Sequence, residues 1–148
     1  MEIRITDIIS ESFEWERPGI WNGMHFYGPG RMHKVTLFTD QGIQGIGWNG
    51  GTAAVRPHNF YAPFVEYYKS FLIGKNPLET EKLTLELGEK QNKILGSAGL
   101  HTQVLGAIII ACWDIKGKVE DQSIHPYSFG GGAKKGKGLY SRRILRKK

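Results

Sequence analysis

Cysteine is almost absent from this chain of 148 residues, which contains Cys112 alone. A single thiol excludes an internal disulfide and any metal cluster built from cysteines. Because Cys112 lies in a strongly apolar segment, we expect a small buried side chain rather than a nucleophile. Long uncharged apolar runs are also missing, since none reaches the roughly 18 residues that a membrane-spanning helix needs. Residues 1–7 alternate polar and apolar side chains and lack the apolar centre of a signal peptide, so we expect a cytoplasmic protein without a membrane partner.

Acidic residues are missing from the end of the chain. Residues 134–148 contain eight of the twenty Lys and Arg residues and no Asp or Glu. Residues 1–133 therefore hold twelve basic against fourteen acidic residues, and the net charge of +6 comes from the terminal segment. We expect a folded domain over residues 1–133 and a basic tail over 134–148. Non-specific attachment of this tail to nucleic acid is one functional hypothesis, but we expect no specific nucleic-acid partner.

Strands are predicted in the first third of the chain, where β-branched and aromatic residues alternate with polar ones. The predicted strands are residues 2–14, 34–39 and 43–48. A turn at Asp40-Gln41-Gly42 joins the last two. Gly45 and Gly47 predict a close backbone approach or a bulge in the third strand. Residues 15–32, with two prolines and four glycines, are expected to form a long irregular loop, and residues 48–53 a second loop.

Helices are predicted in the rest of the chain. Apolar spacing indicates a helix over 60–72, a second helix that Asn76 caps, and a third helix over 102–118. Pro63 should begin or kink the first helix, and Gly74 should end it. The third is apolar around its whole circumference, which predicts burial on nearly every side. Strands followed by helices indicate an α+β fold, a three-stranded antiparallel meander followed by a three-helix bundle.

Four segments carry motifs that occur in the same order in a known family. They are Thr39–Gly47 (Thr-Asp-x-Gly-x-x-Gly-x-Gly), Phe71–Glu79 (similar to Leu-Leu-Ile-Gly-x-x-Pro), the helix end Ala111–Lys118, and Gly130-Gly131 followed by Leu139–Ser141. Together they resemble the N-terminal capping domain of the mandelate racemase/muconate lactonizing enzyme family, within the enolase superfamily. Three features depart from the pattern: Ile109 replaces an acidic or amide residue, residues 123–129 are irregular, and residues 142–148 match nothing.

The resemblance implies a division of labour between two domains. In the family, a (β/α) barrel holds Mg²⁺ through carboxylates and supplies a Lys or His base. Those residues would follow Ser141, so we expect no catalytic residue and no metal site in this chain, and magnesium only in a full-length family enzyme. His33, His58, His101 and His125 show no ligand spacing and are interpreted as packing or surface residues.

The resemblance also implies what the capping domain does. In relatives, two mobile loops close over the barrel mouth and contact the substrate. By position these are residues 15–32 and 48–53, and the candidate contacts are Trp21, His25, Tyr27, Arg31, Asn49 and Thr52. The alternative interpretation is that the aromatic side chains only anchor the first loop to the core.

Two functional hypotheses follow. The first is a substrate-specificity domain that resembles the cap of Mg-dependent acid-sugar dehydratases or racemases, truncated and inactive alone. The second is a free-standing binding or oligomerisation module, because apolar surface left exposed on the third helix would favour association. Its partner would be a second copy or the barrel of a full-length relative, and a small carboxylate or acid sugar would bind only in an intact enzyme.

Overall fold

A computed structural model describes residues 2–16, 18–23, 25–52, 60–96 and 98–123. The elements are β1 (Ile5–Trp15), β2 (Ile20–Asn22), β3 (His25–Tyr27), β4 (Gly30–Thr39), β5 (Gln44–Thr52), α1 (Ala62–Leu72), α2 (Thr80–Ile94) and α3 (Leu100–Val119). The main sheet has the order β1-β4-β5 with antiparallel neighbours, and β2 pairs with β3 separately. This arrangement confirms the predicted α+β fold and its meander. The predicted boundary at residue 133 and the basic tail lie outside the described residues.

The first predicted loop is more regular than expected. β1 continues to Trp15, β4 begins at Gly30, and the β2–β3 hairpin occupies much of the interval between them. The many aromatic residues of this segment favour extended backbone, whereas Pro18 and Pro29 fall between strands, where no ladder hydrogen bond is lost. Gly23 turns the hairpin with a positive φ of 60°. The expectation of an irregular connection over 15–32 is therefore wrong. The expected second loop over 48–53 is wrong as far as Thr52, because β5 continues to that residue, and residue 53 lies outside the described residues.

The helix boundaries are partly as predicted. α1 carries Pro63 in its first turn, and Gly74 follows its end with a φ of 80°. α2, however, begins at Thr80 rather than at Asn76-Pro77. The Asn76 side-chain oxygen accepts a hydrogen bond from the Leu78 N–H at 3.0 Å, so Asn76 shapes the turn between the helices instead of capping α2.

Helix α3 lies directly against the backbone of β5. A Cβ atom on Gly47 would overlap the Ala107 carbonyl oxygen, and one on Gly45 would overlap that of Ala111. The two glycines therefore permit the close approach that their position in the strand predicted. Asp114 secures the same contact, because its Oδ2 accepts a hydrogen bond from the Ile46 N–H at 2.9 Å and pairs with the Lys118 ammonium.

The core lies between the inner face of the main sheet and the three helices. Its largest fully buried apolar side chains include Ile3, Ile5, Leu37, Tyr68, Leu72, Leu87, Ile108 and Ile115. Cys112 is fully buried among them, and burial raises the pKa of its thiol to about 12. A protonated, inaccessible thiol is not a nucleophile, which confirms the prediction for this residue.

One side of α3 remains exposed, contrary to the expectation of burial on nearly every side. Ile110 is 44% exposed, Gly106 is exposed, and Ile109 is only partly buried. The sheet and two other helices can surround only part of a long helix in a domain of this size. Among the helices that the structure describes, none has the length and hydropathy needed to cross a membrane.

The glycine contact makes a first prediction. Gly47→Ala should lower the free energy of unfolding by about 3 kcal/mol, because the added methyl group must displace α3 from the sheet. Gly106→Ala is the matched control: its Cβ would meet nothing within 4 Å. This control should raise stability by up to about 1 kcal/mol through helix propensity. Urea denaturation measures both, and equal stabilities for the two variants would contradict the contact.

Candidate functional site

Strand pairing brings the two predicted substrate loops together at one end of the main sheet. Arg31 pairs with Gly51, and Gly30 pairs with both Thr52 and Trp15. The ends of segments 15–32 and 48–53 are thus neighbouring strand ends. We call this end of the sheet, formed by residues 14–15, 30–31 and 51–52, the loop end.

The six candidate contact residues fall into two groups. Arg31 on β4 and Asn49 on β5 are diagonal neighbours, since Arg31 pairs with Gly51 and Asn49 pairs with His33, and Thr52 ends β5 at the loop end. Trp21 lies in β2 with 70% of its surface exposed, while His25 and Tyr27 lie in β3 of the separate hairpin. The structure therefore brings the first three together on adjacent strands, and it assigns the others to another element.

The inner face of the main sheet changes from apolar to polar towards the loop end. Along β4, side chains on this face alternate through Leu37, Val35, His33 and Arg31. The first two are fully buried core residues, and His33 is also only 1% exposed. Asn49 is directly opposite His33 in the register. The inner layer immediately below the loop end therefore contains a polar cluster, which includes His33 and Asn49.

His33 is the centre of this polar cluster. Its Nε2 lies 2.6 Å from the Ser10 hydroxyl, and its Nδ1 lies 3.0 Å from Asn49 Oδ1. The imidazole also stacks on Tyr61, with ring centroids 4.5 Å apart and planes at 24°. Tyr61 in turn donates a hydrogen bond to Gln103 Oε1 at 2.9 Å. His33 thus connects β1, β5 and the start of α1, and through Tyr61 it reaches α3.

Burial determines the charge of His33. Removal of the ring from solvent lowers its pKa, and the hydrogen bond to Asn49 opposes this only in part. The ring is therefore neutral near pH 7, with one donor and one acceptor nitrogen. Because Asn49 presents its carbonyl oxygen, Nδ1 carries the proton and Nε2 accepts from the Ser10 hydroxyl.

Sequence reasoning interpreted His33 as a packing residue and did not identify its partners Ser10 and Tyr61. The strand period of two contained a signal: His33 occupies the same face as Val35 and Leu37, so a polar ring had to enter an apolar layer. The partners could not be found in this way, because register and helix placement decide which groups meet it.

Arg31 forms a cross-strand ion pair at the loop end. Its Nε donates to Glu14 Oε2 at 2.6 Å, and the side chains are 26% and 35% exposed. A partly solvated pair of this kind adds at most about 1 kcal/mol of stability. Its main effect is to orient the guanidinium group beside the inner face.

The chemistry available at the loop end is hydrogen bonding to an oxygen-rich ligand. Arg31 provides a cation and Asn49 an amide, both suited to carboxylate or hydroxyl oxygens. Over the described ranges, no three His, Cys, Asp or Glu side chains converge as they would around a metal ion. These residues therefore do not fit a magnesium site, which requires several convergent oxygen ligands.

Comparison with protein families gives one match. Residues 16–126 match the family described as mandelate racemase / muconate lactonizing enzyme, N-terminal domain. The matched segment contains β2 to α3, the loop end at β4 and β5, and all six candidate contact residues.

Two curated relatives match at the level of sequence. D-galactarolactone cycloisomerase of Agrobacterium fabrum is 38% identical over 90 residues, which cover 61% of this chain and 22% of the relative. D-xylonate dehydratase of Haloferax volcanii is 32% identical over 101 residues, which cover 66% of this chain and 22% of the relative. The chain thus spans about a fifth of the length of either relative.

A solved structure shares the fold. L-talarate dehydratase from Polaromonas sp. JS666, in complex with Mg and L-glucarate, superposes with a TM-score of 0.68 at 24% sequence identity. The superposition covers 80% of this chain and 33% of that protein.

The buried imidazole makes a prediction about pH. Since folding lowers the pKa of His33 below its usual 6.5, the unfolded chain binds a proton more readily. The His33 contribution to stability is complete above pH 6.5 and decreases as pH falls through the pKa of the folded state. His33→Phe keeps the stacking on Tyr61 without the titrating group. Urea denaturation between pH 7.5 and pH 5 should show that the free energy of unfolding of the wild type falls relative to that of this variant. Equal pH dependence of the two proteins would contradict the prediction.

Proposed function

Because the chain belongs to the family of mandelate racemase and muconate lactonizing enzyme N-terminal domains, we propose that it is a substrate-specificity cap. It would cover the mouth of an active site that a (β/α) barrel supplies. The observation that carries this proposal is the polar end of the inner sheet face, where Arg31 on β4 and Asn49 on β5 occupy diagonal positions beyond the buried core residues of that face.

The shares of sequence covered support a division between cap and catalytic barrel. Both curated relatives extend far beyond the matched segment, which is 22% of either one. We therefore assign the catalytic groups and Mg²⁺ to a barrel and not to residues 2–123. In this proposal the chain alone turns over no substrate and binds no magnesium.

Acid sugars are the proposed substrate class. The names of the curated relatives refer to D-xylonate and to D-galactarolactone, and the solved relative holds L-glucarate. Each is a polyhydroxylated carboxylic acid or its lactone, which suits the guanidinium of Arg31 and the amide of Asn49. Trp21 on β2, His25 and Tyr27 on β3, and Thr52 at the end of β5 remain proposed contacts.

The exposed side of α3 is the proposed docking surface for the barrel. Ile110 and the partly buried Ile109 form an apolar strip there. Full burial of an exposed isoleucine contributes about 1.5–3 kcal/mol, and covering the 44% of Ile110 that is still exposed contributes about half as much. The same strip supports the second candidate function, a module that associates with a second copy of itself. For location we propose the cytoplasm, because a lone reduced thiol suits a reducing compartment.

The test pairs the full chain with a barrel. D-galactarolactone cycloisomerase would be expressed without the segment that this chain matches, and mixed with the 148-residue chain. We expect the two to co-elute and to isomerise galactarolactone, which neither does alone. Ile110→Glu should weaken the association about 10- to 100-fold, because it removes an apolar contact and buries a charge. Leu85→Glu is the matched control, since Leu85 is 70% exposed on α2 and should have no effect.

The positive control is the relative's own N-terminal segment, supplied as a separate chain. If that segment restores turnover but this chain neither binds the barrel nor restores activity, the cap function is wrong for this pair. Light scattering of the chain alone distinguishes the second candidate. Dimers that Ile110→Glu dissociates, with no binding to the barrel, would favour the self-associating module.

A further inference from the structure

The Asn49 side chain uses only one end of its amide. Its Oδ1 lies 3.0 Å from His33 Nδ1, whereas its Nδ2 is shielded from solvent and has no hydrogen-bond partner among the described residues. Native proteins pair nearly all of their buried donors, because an unpaired donor has lost its hydration without replacement. A buried, unpaired donor at this position, diagonal to Arg31 on the inner sheet face, therefore suggests a partner that the described residues do not supply, such as a ligand oxygen.

The His33 ring is fixed, and this determines the orientation of Asn49. Ser10 on β1 holds Nε2, Tyr61 at the start of α1 covers one ring face, and Asn49 on β5 accepts from Nδ1. With the ring 1% exposed, rotation would break two hydrogen bonds and the stacking together. Asn49 presents its carbonyl oxygen to Nδ1, so its Nδ2 points away from the ring.

We propose that His33 is a positioning residue that holds the Asn49 amide so that Nδ2 is a preformed donor to a ligand oxygen at the loop end. This inference rests on the proposed function and identifies one atom of its specificity site. The ligand oxygen belongs to a carboxylate or hydroxyl group, since the Asn49 neighbour on the same face towards the loop end is the Arg31 guanidinium. Glu14, paired with Arg31, is the acidic group that faces this position.

A purely structural contact would differ in two ways. Gln91, which is buried between α2 and α3, shows what such an amide does in this protein. Its Oε1 accepts from Tyr68, and its Nε2 donates to Thr102 and to the Gly96 carbonyl, so both ends are used. A purely structural role for Asn49 would also leave ligand binding unchanged on substitution, whereas a role as donor to the ligand would not.

The experiment uses the full chain labelled with ¹⁵N, in complex with the unlabelled barrel of D-galactarolactone cycloisomerase, and sodium galactarate as the probe. NMR follows the Asn49 side-chain NH₂ and the Arg31 Nε–H during titration, and long-range ¹H–¹⁵N correlation identifies the His33 tautomer. We expect the proton on Nδ1 and a saturable shift of the Asn49 NH₂. A proton on Nε2 in the free chain would overturn the proposal, whatever the probe does.

Variants separate positioning from folding. Asn49→Asp keeps the acceptor for His33 but removes the donor, and it should weaken probe binding at least about 10-fold. Asn92→Asp makes the same change on the exposed surface of α2 and should leave binding unchanged. His33→Phe should weaken binding about 3- to 10-fold, and His33→Asn, which retains a donor near the Nδ1 position, should recover most of it. Thermal unfolding of each variant identifies any that fail to fold.

The outcomes distinguish this inference from the proposed function. Saturable shifts at Arg31 without any at Asn49, or normal binding by Asn49→Asp, would overturn the positioning role and leave the cap function standing. No saturable shift at either residue would overturn both the inference and the assigned substrate class. Weaker probe binding by His33→Phe, with recovery of most of the affinity in His33→Asn, is the result that the proposal requires.

Discussion

The close approach of α3 to β5 is the contact on which the rest of the structure depends. Side chains normally separate the backbone of a helix from the sheet on which it packs. Here Gly45 and Gly47 remove those side chains, so the carbonyl oxygens of Ala107 and Ala111 face the strand backbone directly. A helix held at this distance fills the centre of the domain, and α1 and α2 complete the core around it.

The same contact sets up the polar cluster beneath the loop end. On the inner face of β5, the residue after Gly47 is Asn49, which lies opposite His33. With α3 close to the sheet, Gln103 near the start of the helix is within reach of Tyr61, and Tyr61 stacks on the imidazole. Along β4 and β5, the inner-face positions that form the hydrophobic core are therefore followed directly by the position at which His33 and Asn49 are hydrogen-bonded. Rigid strands, and not the loops alone, position the groups that we assign to substrate recognition.

The fold could be predicted from the sequence wherever a local pattern of residues has one physical meaning. Alternation predicted the meander, a glycine pair predicted the close approach, and an apolar segment predicted the central helix. It failed where partners distant in sequence decide the outcome. The β2–β3 hairpin forms despite its glycines and prolines, Asn76 orders a turn instead of a helix start, and Ile110 stays exposed because nothing in the described domain reaches it.

The candidate site was predictable only in part, for the same reason. The resemblance located the two loops, and strand register then placed Arg31, Asn49 and Thr52 together. The role of His33 depends on a serine 23 residues before it and an aromatic ring from another element, which no local pattern reveals. Whether a buried polar residue is a packing group or a positioning group becomes visible only when each of its hydrogen bonds is accounted for.

The residues that pack against α3 and those that we assign to ligand recognition lie at different positions along the same strands, and this affects how the sequence can diverge. Gly45 and Gly47 cannot change without displacing α3, whereas Arg31 lies beyond that contact and is not one of the buried core residues. A domain arranged in this way can exchange the side chains at one end of its sheet while its architecture stays fixed. New ligand preferences are therefore open to it through a few substitutions that leave folding intact, and these strand ends are where a library for altered selectivity should be placed.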